Sequence, residues 1–313
     1  MFKILRTSRS KLDRTAARKE NKESRMSSPE LLTGESCLDF SLVDAYTVPI
    51  SDSAALRIYS DTRPHTWKIA DLQKGLILVR DGKEVVGEGT GFGLPILVCS
   101  HETYFSGTSK VFVAQHREGW VIRKEYMMDR TSRNKFRNVT LENRGARSFF
   151  AHLAHLYQRH SKFRFLTLKS LTRKIDIDTT FVKTIPAGNV TVTYSIDKRG
   201  ILVKADFKQL KAVKLERIFM LNEQGATIFR KYVDSQNTML TDGKIGAWDD
   251  IGAEWASLTV PGEDFGFRLW KKDGSVLRRG REFLEDSLDW VGLDYEISPK
   301  NTAFEYSIEI LRA

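Results

Sequence analysis

Three groupings of residues in this 313-residue chain are of a kind that does chemistry. The first is His101, Glu102 and Tyr104, at the end of the stretch Val85–Gly107, VVGEGTGFGLPILVCSHETYFSG. A histidine changes charge near neutral pH and, beside a carboxylate, can take or give a proton. An exposed turn histidine is the plainer alternative. The second runs Trp248, Asp249, Asp250, Glu254, Trp255 and on to Phe265, Phe267 and Trp270; four of the six tryptophans lie beyond residue 247. Indole faces take the C–H face of a sugar and carboxylates accept its hydroxyl hydrogens. Paired carboxylates also serve as acid and base in glycosidic chemistry. The same residues equally suit a β core with acidic turns. The third is basic: Arg130, Arg133, Lys135, Arg137, Arg144 and Arg147, with Phe136 and Phe149 among them. These could neutralise phosphates and stack on bases, though no zinc-finger, RNP or helix-turn-helix pattern accompanies them.

Other chemistries are excluded or left open. His152 and His155 stand at i, i+3 spacing, but the stronger HExxH pattern is absent and no acid lies between Glu142 and Asp176. No metal site is therefore predicted. Cys37 and Cys99 form no CxxC, and a reducing, cytoplasmic setting is the simplest expectation. Gly87, Gly89, Gly91 and Gly93 alternate, yet Phe92 and Leu94 stand where a dinucleotide fingerprint needs its last glycine, and Pro95 with Ile96–Val98 continues as strand. No cofactor is assigned.

The elements that must position these groups read as β throughout. Side chains alternate faces along a strand, so glycine at every second position strips one face and invites close approach by a backbone, a ring or a ligand. Short apolar runs such as Ala55–Tyr59, Ser109–Gln115, Val190–Ile196, Trp255–Val260, Phe265–Trp270 and Phe304–Leu311 are separated by turn residues. Asp81-Gly82 is a hairpin signal. Trp120, Ile122 and Tyr126 on even positions, against Arg123 and Glu125 on odd ones, mark a half-buried antiparallel strand. Phe149–His160, with helical spacing, is the best helix candidate. The fold class expected is all-β, a large antiparallel β-sandwich in two β-rich halves with one short helix between them. The expected parts are a basic flexible tail (1–30), an N-terminal β half (31–147), a helix-containing basic connector (148–175) and a C-terminal β half (176–313).

Charge is unevenly spread. The net is +10; residues 1–27 carry nine Lys/Arg and three acids, residues 128–175 twelve and two, and residues 241–300 eight and thirteen. The basic parts favour an anionic partner. No run of eighteen apolar residues is present to span a membrane, and the basic N-terminus lacks the apolar segment of a secretory signal.

The two-part β layout, the Trp/Asp/Glu-rich second half and the strand end bearing His101 and Tyr104 resemble the galactose-mutarotase-like β-supersandwich proteins over about residues 35–313. That family includes sugar epimerases and some polysaccharide lyases, and the resemblance implies that its histidine and glutamate pair falls here to residues such as His101 and Glu254. The expectation is recognition or processing of a carbohydrate-like ligand, an acidic sugar among those considered. His101 would transfer the proton, with Glu254 or Asp250 as partner carboxylate. Tyr104, Trp248 and Trp255 would form the platform and Arg123 an anion clamp. Whether the chain is an enzyme is left open. The rival reading is a non-enzymatic protein that docks on nucleic acid or an anionic membrane through its basic tail and middle segment.

Overall fold

The computed structural model describes residues 38–61, 73–99, 102–116, 119–136, 177–198, 200–211, 214–284 and 288–311. Within them the chain is antiparallel β throughout. Before the connector come β1 (Ser41–Val43), β2 (Ala45–Pro49), β3 (Ala54–Tyr59), β4 (Ile77–Arg80), β5 (Lys83–Glu84), β6 (Gly91–Cys99), β7 (Thr103–His116) and β8 (Gly119–Phe136). After it come β9 (Ile177–Lys183), β10 (Asn189–Asp197), β11 (Gly200–Asp206), β12 (Leu215–Gln224), β13 (Lys231–Asp234) and β14 (Met239–Thr241). A short 3-10 turn, Asp242–Ile245, precedes β15 (Asp249–Asp250), β16 (Trp255–Thr259), β17 (Gly266–Trp270), β18 (Ser275–Leu284), β19 (Leu288–Ile297) and β20 (Ala303–Leu311). The all-β sandwich expected from the alternation is thus what the chain forms. The expected helix at Phe149–His160, the basic tail, and His152 and His155 lie outside the described residues.

One large sheet runs β14-β13-β16-β17-β20-β11-β10-β8-β7-β6-β12-β19-β18-β15, with β1 on β7 and β9 on β8. Strands from before and after the connector are neighbours in it, β6 beside β12 and β8 beside β10. The two β-rich halves are therefore stretches of sequence, not separate sheets. The sheet folds over on itself because alternate residues along most strands are apolar and can be buried only face to face. Phe92 of β6 meets Phe267 of β17 edge-on at 5.1 Å. Tyr295 of β19 packs on Phe304 and Tyr306 of β20 at 5.2 and 4.7 Å, and its hydroxyl donates to the Trp270 carbonyl at 2.5 Å. The two ends of the strand path also meet: Arg281 N of β18 donates to Gly246 O, just after β14 and the 3-10 turn, and the Arg279 guanidinium lies 5.3 Å from the Tyr232 ring of β13.

A second sheet, β2-β3-β4-β5, caps the sandwich. It contributes Val48, Ala54, Leu56, Ile58 and Leu78 to the single core. Asp81 and Gly82, at φ 49° and 76°, make the expected β4–β5 turn. Lys124 ties the cap down. Even parity places it on the core side of β8, where it is buried, and its ammonium donates to the carbonyls of Tyr59 at 2.8 Å and Lys74 at 2.6 Å. Burial pushes its pKa down from 10.5 to about 7, against a smaller upward pull from Asp61.

The alternating glycines serve close packing. A Cβ at Gly93 would stand 2.7 Å from the Tyr194 hydroxyl, and one at Gly91 would stand 2.8 Å from the Leu76 carbonyl. Both residues also have positive φ, 77° and 74°, which favours glycine. Tyr194 uses the space to donate to the Phe92 carbonyl at 2.9 Å. The ring over the strand is that of Tyr194. Opposite, β12 carries a bulge between Leu221 and Asn222. The bulge frees groups that a buried network satisfies: Gly93 N and the Tyr306 hydroxyl donate to Asn222 Oδ1, at 3.1 and 2.8 Å, and Asn222 N donates to Asp294 Oδ1 at 2.7 Å.

Candidate functional site

The strands deliver a cleft of about 600 Å³ where the cap meets one end of the large sheet. Four pieces of chain build it. The β10–β11 turn brings Asp197 and Lys198, fixed by Gly200 N donating to Asp197 Oδ1 at 3.2 Å. The outward faces of β13 and β16 bring Lys231, Val233, Trp255, Ser257 and Thr259. The β16–β17 turn brings Glu263 and Asp264, and the paired strands β17 and β20 bring Arg268 and Glu309. The cap closes one wall with Ile50 and Leu56.

Register explains why Arg268 and Glu309 meet. They are directly paired residues on adjacent strands, and Arg268 Nη1 donates to Glu309 Oε2 at 3.0 Å. Cross-strand neighbours on one face stand close enough for such pairing. The guanidinium also lies 4.4 Å from the centroid of the Trp255 ring and 5.9 Å from that of Trp270. Held by a carboxylate and an indole, it has little rotamer freedom left. The lip is held from the cap: Arg80 Nη2 lies 2.7 Å from Glu263 Oε2, and Arg80 stacks 4.9 Å over Phe265. The cleft thus combines an aromatic face, hydrogen-bonding groups of both signs and an apolar wall.

Of the described residues expected to form a site, Trp255 alone is among those lining this cleft. His101 lies outside the described residues. Tyr104 stands at the start of β7, paired with Leu97 and Thr131 and packed on the core. Burial first, and Glu102 second, push its hydroxyl pKa up. Arg123, expected as an anion clamp, is sandwiched between the rings of Phe40 and Phe112 at 4.7 and 4.9 Å, and sits 3.5 Å from Glu125. Its charge is already engaged, and it is not part of the cleft. Glu254, expected as a catalytic carboxylate, has a side chain 78 % exposed, with Lys271 near it at 3.9 Å. Asp250 is paired with Arg278 at 3.0 Å on the other layer. Trp248 and Trp255 are likewise not one platform. Trp255 faces outward from β16, whereas the Trp248 indole lies over Gly280 of β18 and Gly292 of β19. Between them Ile251 and Ala253 are buried in the core, so the chain crosses from one layer to the other. The cleft at the cap is thus built without Tyr104, Arg123, Trp248, Asp250 or Glu254.

Sequence reasoning also missed a buried acidic pair beneath Trp248. On β12, Glu223 is directly opposite Gly91 of β6 on one side and Gly292 of β19 on the other. It is only 7 % exposed, and Asp294 3 %. Burial raises the Glu223 pKa to about 7; hydrogen bonds from Thr90 and the charge of Lys74 pull it down, and Glu282 pushes it up. Asp294 is raised well above the usual carboxylate range, first by burial and then by Glu223. Glu223 is separated from every other site candidate in sequence, and only its glycine-flanked row marks it. Among the described residues no group of histidines, cysteines and carboxylates is placed to hold a metal ion, and no helix is long and apolar enough to cross a membrane. No protein-family model matches the chain, and no curated protein matches it.

Proposed function

We propose that the protein recognises a carbohydrate-like, hydroxyl-rich ligand in the cleft at the cap. The observation that carries this reading is the preformed constellation of Trp255, Arg268 and Glu309 against an apolar wall, in a space of about 600 Å³. That volume suits a mono- or disaccharide-sized ligand. The indole supplies a face for C–H groups, while Asp197, Asp264, Lys231 and Thr259 offer acceptors and donors for hydroxyls. The supersandwich resemblance points to the same ligand class. Recognition is favoured over turnover, because Glu254 and Asp250, the carboxylates expected to share proton transfer with His101, do not line the cleft. The rival docking reading rests on the basic tail and on residues 128–175, most of which lie outside the described residues.

Isothermal titration of the full chain with monosaccharides and disaccharides tests the reading, with Trp255→Ala beside the wild type. Trp255 faces outward, so its loss leaves the core packing in place. A stacked indole contributes on the order of 1 kcal/mol or more beyond area burial, so affinity should fall about tenfold. Binding that Trp255→Ala leaves unchanged would sink the assignment of the cleft.

A further inference from the structure

We infer that this cleft selects an uncharged sugar over an acidic one, an inference that rests on the function just proposed. A site built for a uronate or a sulfated sugar presents an arginine whose fork is open to the ligand. Here the cleft's arginine is already engaged. Arg268 donates to Glu309 at 3.0 Å, and its guanidinium is stacked on Trp255. A second arginine at the lip, Arg80, belongs to Glu263 at 2.7 Å. The lining carries four carboxylates, Asp197, Glu263, Asp264 and Glu309, against three cations, Lys198, Lys231 and Arg268. An incoming carboxylate would therefore meet a surface with no excess of positive charge, and would have to share the Arg268 charge with Glu309. Hydroxyl groups carry no such penalty, since they donate to the carboxylates and accept from the lysines without displacing either. The chain's overall charge of +10 does not bear on this choice, because selectivity is set by the groups that face the ligand.

The Arg268–Glu309 pair makes the inference testable by inversion. Glu309→Gln keeps the shape of the side chain and removes one negative charge, so the Arg268 charge is no longer paired. The probes are D-glucose and D-galactose against D-glucuronate and D-galacturonate, titrated into the full chain at neutral pH and low salt. Wild type should bind the neutral sugars at least tenfold more tightly than their uronates. In Glu309→Gln the uronates should gain about tenfold relative to the neutral sugars, the ratio one partly exposed charge pair supplies. That gain should shrink as sodium chloride is raised, since the pair is partly exposed. Wild-type binding of uronates as tight as or tighter than neutral sugars, still dependent on Trp255, would overturn the selectivity and leave the carbohydrate cleft standing. No Trp255-dependent binding of any of the four would overturn both.

Discussion

Replacing Glu223 by Gln should turn a pH-dependent protein into a flatter one, and the structure sets the size of the effect. Glu223 projects from the outward face of β12, yet it is only 7 % exposed. The glycines on either side of it let other groups close in: a Cβ at Gly292 would stand 2.8 Å from Glu223 Cγ and 3.1 Å from the Trp248 ring. The charged groups facing it are Asp294 from β19, Glu282 from β18 and Lys74 from the segment before β4; Thr90 hydrogen-bonds to it. Two of the three charges repel a carboxylate. The folded state therefore holds the proton more tightly than the unfolded chain, with the pKa raised from 4.5 to about 7. For a raised acid, the stabilisation is fully present below the unfolded pKa and is lost as pH rises through the folded one. Each tenfold gain in proton affinity is worth about 1.4 kcal/mol, so the loss between pH 4.5 and 8 approaches ~3 kcal/mol, with sharing of protons with Asp294 broadening the window. Glutamine mimics the protonated acid at all pH values and can still accept from Thr90. Urea denaturation at pH 4.5, 6 and 8 should show near-equal stability at the lowest pH. The variant should be ahead by roughly 2–3 kcal/mol at the highest. Curves for the two proteins that stay parallel across that range would refute the reasoning.

Two further perturbations follow from burial and contact. Lys124→Met removes a buried base whose pKa is depressed to about 7. The wild type should gain stability relative to the variant by roughly 2 kcal/mol between pH 7 and 9, because the unfolded lysine binds the proton that the folded one releases; thermal melts across that range check the slope. Gly280→Ala would place a Cβ 2.3 Å from the Trp248 ring, displacing the indole at a cost of about 1–3 kcal/mol. The same substitution in a Trp248→Ala background should cost less, a non-additivity that a double-mutant cycle in denaturant measures.

The parts of the fold that were legible are those where face parity and turn chemistry agree. Val190–Ile196, Phe265–Trp270 and Phe304–Leu311 alternate plainly and became β10, β17 and β20, and Asp81-Gly82 turned where expected. The β18–β19 hairpin was missed as strand. Its outward residues are Arg278, Gly280 and Glu282 against Gly292, Asp294 and Glu296, so its surface reads as charged loop while Leu277, Val291, Leu293 and Tyr295 fill the core. Lys124 shares the inward parity of Ile122 and Tyr126, and two carbonyls at the cap accept its protons.

The site was harder to read than the fold because it depends on register between strands distant in sequence. Trp248, Asp250, Glu254 and Trp255 looked like one constellation since they fall within eight residues. But Ile251 and Ala253 carry the chain through the core between them, so nearness along the chain became separation across the sandwich. Arg268 and Glu309 are forty-one positions apart, and a single ladder step of β17 on β20 makes them neighbours. Trp255 lines the cleft for the same geometric reason. On β16 it is directly paired with Trp270, one step from Arg268 on the same face of β17. An aromatic residue in a β protein is therefore placed in a cleft together with the charged residues that its cross-strand partners set beside it. The acidic residues next to it in the chain point to the other face or to the other layer.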